Sequence, residues 1–400
     1  MAQHYSTKDF FRYTPNALLA RYFKQQKLFT DLDFSTMKEA ELEPLYEAWE
    51  KLDIKKRKRV DAELKTINDL SCKKGILAVI DEAPYQFRES PEQIPPFIDK
   101  LSKLKNHYDR AMTIFLDHKE FWPAASRFYQ ADNLSYWRKR SHMGHKPAAV
   151  DKASIDQLAE EMGTYFHDTE TCGKNCEVEP YRRGDLDYFF CFPEDHSQKQ
   201  PEWVKGKFKA VPHTPAFVIV LVYSQERGAL DINYQGSKKI LEPLQTMFAT
   251  NILKLDKLPP NPKDSREYDL NILANKDFSF AIKPGSSITG VTVKKIRLSA
   301  KYIKGERLTL EADTNTNNLA VYELMEKLGE PFKASQYNIT QVDLAVSFSK
   351  EDKSTPKSAP ITIGHPNSCS LKYDELGIML RTMLEDSNIE PKEPTKPSDA

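Results

Sequence analysis

Asp185 and Asp187 stand one residue apart, next to Arg182 and Arg183. Asp-x-Asp spacing can aim two carboxylates at one hard cation such as magnesium. With Asp231 as a third acid, and Lys238 or Lys239 arriving beside it, the set would suit a metal-dependent phosphodiesterase or nuclease. A turn explains the same residues more simply. Gly184-Asp185 favours reversal of the chain, and opposite charges pair across a hairpin. Asp185, Asp187 and Asp231 are therefore the alternative catalytic set, and scaffold is the leading reading of that place.

Binding chemistry has two candidate stretches. Tyr136-Trp-Arg-Lys-Arg-Ser-His-Met-Gly-His-Lys146 interleaves aromatic and basic side chains. A surface that tracks a nucleic-acid backbone and stacks its bases needs that mixture, so Trp137, Arg138, Lys139, Arg140 and Lys146 are expected contacts on an exposed segment. The second stretch is Lys55, Lys56, Arg57, Lys58 and Arg59. In the first turns of a helix these cations oppose the helix dipole, which invites phosphate contact; a solvated face balanced by Asp61 and Glu63 is the plainer account.

Cys172, Cys176 and Cys191, with His167 and His196 nearby, are numerous enough for a tetrahedral zinc site. The spacing argues against it. A second paired knuckle is missing, and Cys191 falls in an apolar run where a small buried thiol belongs. His142 and His145 lack the Glu of a His-Glu-x-x-His helix. The expectation is no metal and no cofactor. Phosphate-loop, dinucleotide and nucleophile-elbow motifs are absent as well, and only 14 glycines are present to build backbone cradles. A non-catalytic protein is the better fit.

These residues must be positioned by a chain of 400 residues with 29% charged and 40% hydrophobic content, a globular mixture long enough for two or three domains. The formal net charge is zero, which removes any whole-molecule attraction to nucleic acid or membrane. Five cysteines, an odd and sparse number, suit a reducing compartment. No secretory leader is recognisable at the first residues, and no apolar run approaches the ~20 residues a membrane span needs. A cytoplasmic protein is expected.

The expected fold is α+β: a helical N-terminal domain over 1–145, followed by mixed, mainly antiparallel sheet domains with packed helices over 146–257 and 265–388. Residues 389–400, polar and proline-rich, read as a disordered tail. Apolar stripes at helical spacing run from Ser6 to about His118, with capping signals at Ser6 or Thr7 and at Asp53. The strongest strand signal is the unbroken run Phe217–Tyr223, followed after a turn by alternating Leu230, Asp231, Ile232 and Asn233. Further strands are expected at Phe278–Ile282, Ile288–Ala300, Leu308–Ala312, Ile339–Phe348 and Ile361–Ile363, and Pro193–Pro215 reads as a loop. Leu258–Asp264, with three prolines, reads as a stiff linker.

At Tyr5-Ser-Thr-Lys-Asp-Phe-Phe-Arg12, at Pro15-Asn-Ala-Leu-Leu-Ala-Arg-Tyr-Phe23, at Tyr181–Phe190 and at Asn367-Ser-Cys-Ser-Leu371, the chain resembles an uncharacterised family of bacterial proteins. The resemblance spans most of the length. It implies a bacterial accessory gene of the kind found on mobile or antiviral-defence islands, and it brings no fold, activity or site. The leading expectation is a binding or adaptor protein working with nucleic acid or a partner protein, and not with a membrane. The alternatives are the Asp-based hydrolase above and a protein-only scaffold subunit.

Overall fold

The structure, a computed structural model, describes residues 5–39, 42–260, 266–328, 334–349 and 357–391. The chain forms two compact units, residues 1–132 and 133–400, so the division falls before the Tyr136–Lys146 segment and not after it. The protein is α+β.

The first unit is helical: α1 (Thr7–Tyr13), α2 (Asn16–Gln25), α3 (Glu43–Lys51), α4 (Ile54–Leu70), α5 (Lys73–Gln86), α6 (Ile94–Ser102), α7 (His107–Asp117) and α8 (Trp122–Ala131). Ser6 caps α1 through the Asp9 amide, and Asp53 caps α4 through the Lys55 and Lys56 amides. Each cap satisfies amides that the helix cannot. The core is rich in aromatics. Phe11 meets Phe23 and Trp49 edge-on at 5.8 and 5.5 Å, and Phe115 meets Trp122 at 5.2 Å. Such pairs add to area burial and hold the helices in register.

The second unit contains one ten-stranded, wholly antiparallel sheet. In chain order its elements are β1 (Trp137–Arg140), α9 (Lys152–Glu170), β2 (Cys176–Arg183), β3 (Leu186–Pro193), a separate hairpin of β4 (Gln198–Val204) and β5 (Lys207–His213), β6 (Ile219–Ser224), β7 (Ala229–Asn233) and α10 (Leu241–Asn251). Then come β8 (Ile288–Ala300), β9 (Arg307–Glu311), α11 (Ala320–Lys327), β10 (Tyr337–Phe348), β11 (Ser358–Gly364), β12 (Ser368–Cys369) and α12 (Glu375–Asp386). The strand order is β2-β3-β6-β7-β1-β12-β11-β10-β8-β9. The spans 146–257 and 265–388 thus contribute to one sheet, and β1 joins them: it pairs with β7 on one side and β12 on the other.

Several local expectations are corrected. Pro193–Pro215 holds the β4–β5 hairpin, whose Trp203 and Phe208 sit opposite each other at 5.7 Å, a cross-strand aromatic pair suited to steadying a two-stranded ribbon. Phe278–Ile282 forms no strand; Phe278 and Phe280 pack against the apolar cluster as side chains of an irregular segment. Ile389 and Glu390, assigned to the tail, are buried, and residues 392–400 lie outside the described residues, as do residues 261–265 of the expected linker. β6, by contrast, is buried along its whole length, as an uninterrupted apolar strand should be.

Candidate binding site beside the central strand

Strand register decides where each candidate side chain goes, because residues directly opposite in paired strands share a face and neighbours along a strand do not. Tyr188, Val222, Asp231 and Lys139 form one row across β3, β6, β7 and β1. Phe189, Leu221, Ile232 and Arg138 form the next row, on the opposite face.

On the first face Lys139 and Arg381 are set against Asp231 and Glu390, and Arg227, paired with Glu385, acts on Glu390 as well. Lys139 makes an ion pair with Glu390, both side chains buried. The Tyr373 hydroxyl donates to Asp231, and the Arg381 guanidinium lies 4.3 Å from the centre of the Tyr373 ring while donating to the Leu371 carbonyl at 3.0 Å. Burial would pull the Lys139 ammonium down, but Glu390 and Asp231 outweigh it and raise its pKa. Burial likewise pushes Glu390 up, and Lys139 and Arg381 more than reverse that. Asp231 Oδ1, Tyr268 Oη, Arg381 Nε and Glu390 Oε2 are buried without a hydrogen-bond partner among the described residues. Every ion here depends on its neighbours, since an uncompensated buried charge costs several kcal/mol.

The other face is open at one end. A cavity of about 390 Å³ lies where β1 and β7 meet the turn into α10, lined among others by Tyr136, Arg138, Asn233, Gly236, Ser237 and Lys238. Arg138 is partly buried there, and burial pushes its pKa down. Among the described residues it has no hydrogen-bond or ion-pair partner. Lys238 lines the cavity and is exposed, as is Lys239 after it, and the Ser237 hydroxyl accepts from the Lys239 amide at the start of the helical segment. Tyr136 precedes β1 with φ at 64°, a left-handed backbone that costs a non-glycine residue about 1–2 kcal/mol, and its side chain is 57% exposed. Asn233 Nδ2 donates to the Ser135 carbonyl at 2.8 Å and so ties Tyr136 to β7.

A larger hollow of about 690 Å³ in the helical unit, lined by Phe11, Tyr46 and Trp49, carries Lys8 and Lys51 against Glu47 and Glu50 and so has no consistent sign.

The expected exposure of residues 136–146 holds at Tyr136, His142, His145 and Lys146 but not along β1. Trp137, Lys139 and Arg140 are buried: Trp137 against Tyr373 at 4.8 Å, Lys139 on Glu390, and Arg140 on Gln245 at 3.1 Å and the Pro259 carbonyl. Lys146 donates to the Lys254 carbonyl at 3.0 Å, and the Tyr223 hydroxyl holds the loop through the Gly144 and Lys146 carbonyls, each at 2.8 Å. Of the five expected contacts here, Arg138 is the one that lines the cavity. Of its companions, Lys238 was expected beside Asp231 in the hydrolase set and not beside Arg138, and Ser237 was not singled out; Gly236-Ser237-Lys238-Lys239, a cap followed by cations, was the available signal.

Lys55, Lys56, Lys58 and Arg59 are exposed on the first turns of α4, and Arg57 pairs with Glu50 at 3.2 Å. Arg59 donates to Gln26 at 3.2 Å. Asp61 and Glu63 are engaged elsewhere: Asp61 accepts from Tyr5 and Thr7 at 2.9 Å, and Glu63 from Tyr22 at 2.6 Å.

Asp185, Asp187 and Asp231 do not converge. Asp185 is exposed in the β2–β3 turn. Asp187 shares a row with Tyr223 and accepts from Arg182 at 3.1 Å, whereas Asp231 projects from the opposite face to Tyr373. Asp231 and Asn233 are themselves buried, so β7 has no polar edge facing solvent. Cys176 and Cys191 are neighbours on the paired strands β2 and β3 in one apolar cluster, while Cys172 follows α9 and meets His196. Among the described residues no helix is long and apolar enough to cross a membrane. No known family model matches the chain, and no curated protein matches it either.

Proposed function

We propose that the chain is a non-catalytic, cytoplasmic binding protein whose cavity at the end of β1 and β7 takes a phosphate-bearing single strand of nucleic acid. The observation that carries this reading is Arg138, a partly buried guanidinium that lines the cavity with no acidic partner among the described residues. A cation held in that way is ready for an anion, and arginine's planar fork matches phosphate oxygens. Lys238, Lys239 and the amides that open the α10 segment add positive potential on the same side. The exposed Tyr136 ring offers a stacking surface for an unpaired base. The hydrolase alternative needs three carboxylates around one ion, and their opposed faces give it no support.

Fluorescence anisotropy with labelled single-stranded and duplex oligonucleotides tests the reading. The single strand should bind more tightly, with affinity that falls as salt is raised. Absence of binding to either, or binding indifferent to salt, would exclude it.

A further inference from the structure

A second cluster of reactive side chains lies apart from that cavity. Cys172 follows the C-terminus of α9, Asp195 and His196 follow β3, and one donor atom from each lies within 4.8 Å of the other two. Cys172 Sγ is 3.6 Å from His196 Nε2. A zinc ion bonded at ~2.3 Å to a thiolate and ~2.05 Å to an imidazole, at a tetrahedral angle, sets those two atoms about 3.6 Å apart. The pair therefore has the separation of two ligands on one ion.

Both loops are fastened in a way that holds this geometry. α9 ends at Thr171 with φ at 58°, and His167 Nδ1 is hydrogen-bonded to the Cys172 carbonyl at 2.8 Å. Gly173 lies directly against the Glu194 side chain, where a Cβ would fall 2.0 Å from Cδ and push that carboxylate aside. The Glu194 amide donates to the Asn175 carbonyl at 2.8 Å, and the Asp195 amide to the Pro215 carbonyl at 2.8 Å. Gln198 Nε2 and the His196 amide both donate to the Asp195 carboxylate, at 3.3 and 2.7 Å. Hydrogen bonds of this sort orient metal ligands.

We propose that Cys172, Asp195 and His196 bind a divalent transition-metal ion of zinc type, with a fourth position open to water or an exogenous ligand. Thiolate and imidazole favour such an ion over magnesium or calcium. In the metal-free chain burial pushes the Cys172 thiol up, and the charges of Glu170 and Asp195 push it the same way. A bound divalent cation reverses that and ionises the sulfur. The ligand set differs from a Cys172, Cys176, Cys191 arrangement: its carboxylate comes from Asp195, and Cys176 and Cys191 take no part. It is independent of strand binding at Arg138.

Full-length protein stripped with a chelator and titrated with zinc or cobalt(II) provides the test. One equivalent of metal should bind, and the cobalt form should show a sulfur-to-metal charge-transfer band with tetrahedral visible bands. His196→Ala, at an exposed position that spares the fold, and Cys172→Ser should each weaken binding roughly tenfold or more, and Cys176→Ser should not. Circular dichroism confirms that His196→Ala is folded. No cobalt uptake by the unmodified chain, or uptake unchanged in His196→Ala, would overturn the proposal.

Discussion

Lys139 and Glu390 lie 251 positions apart and form an ion pair with both side chains buried. Arg138, the residue before Lys139, projects from the opposite face into a cavity and has no such partner among the described residues. One peptide bond thus separates a charge paired within the sheet from a charge that lines a cavity. The distinction makes the two residues experimentally separable.

Replacing Lys139 with Met leaves Glu390 and Asp231 short of a cation and should destabilise the second unit by about 3–5 kcal/mol. The pH dependence identifies the cause. Glu390 is held below its ordinary value of 4.5 when folded, Lys139 and Arg381 outweighing burial, so its contribution is present above pH 4.5 and lost as pH falls through the lower folded value. Lys139 is raised above 10.5, so its contribution is full below that pH and lost as pH climbs through the higher folded value. The gap between the unmodified chain and Lys139→Met should be widest between pH 4.5 and 10.5, measured by urea unfolding at several pH values. A gap that does not vary with pH would show that packing, not the ion pair, is responsible.

Lys55 donates its amide to Asp53 at 3.0 Å while its own charge sits in the first turn of α4. A cation there opposes the dipole. Lys55→Glu should therefore stabilise the helical unit by about 0.3–1 kcal/mol, an effect screened by salt. Thermal melts at low and high salt are sufficient, and a loss of stability at low salt would count against this account of α4.

Tyr136→Ala should leave stability nearly untouched, because the ring is 57% exposed, while removing a stacking surface worth about 1–3 kcal/mol per base. Single-strand affinity would fall by roughly five- to a hundredfold by the same energies. Equal affinity for the two proteins would mean that the ring contributes no stacking.

Much of the fold could be read from local pattern. The apolar run Phe217–Tyr223 became β6 because such a run needs cover on both faces, and Ser6 and Asp53 became caps because their oxygens meet free amides. β1 could not be read in this way. Trp-Arg-Lys-Arg is too short to display a period, and what permits it inside a sheet comes from far along the chain: Asp231, Gln245 and Glu390. Glu390 sits in a proline-rich stretch whose composition suggested no structure. The candidate site was legible to the extent of its basic and aromatic character; strand register sets Lys139 on the other face from Arg138 and Arg140, and Gln245 and Pro259, distant in sequence, occupy Arg140.

Arg138→Ala, assayed against single-stranded oligonucleotide across a salt series, tests the central claim most directly. The variant should be folded, with affinity lowered about tenfold or more and a log-affinity versus log-salt slope shallower by about one phosphate contact, ~0.7 for a single strand. Affinity and slope identical to those of the unmodified chain would contradict it.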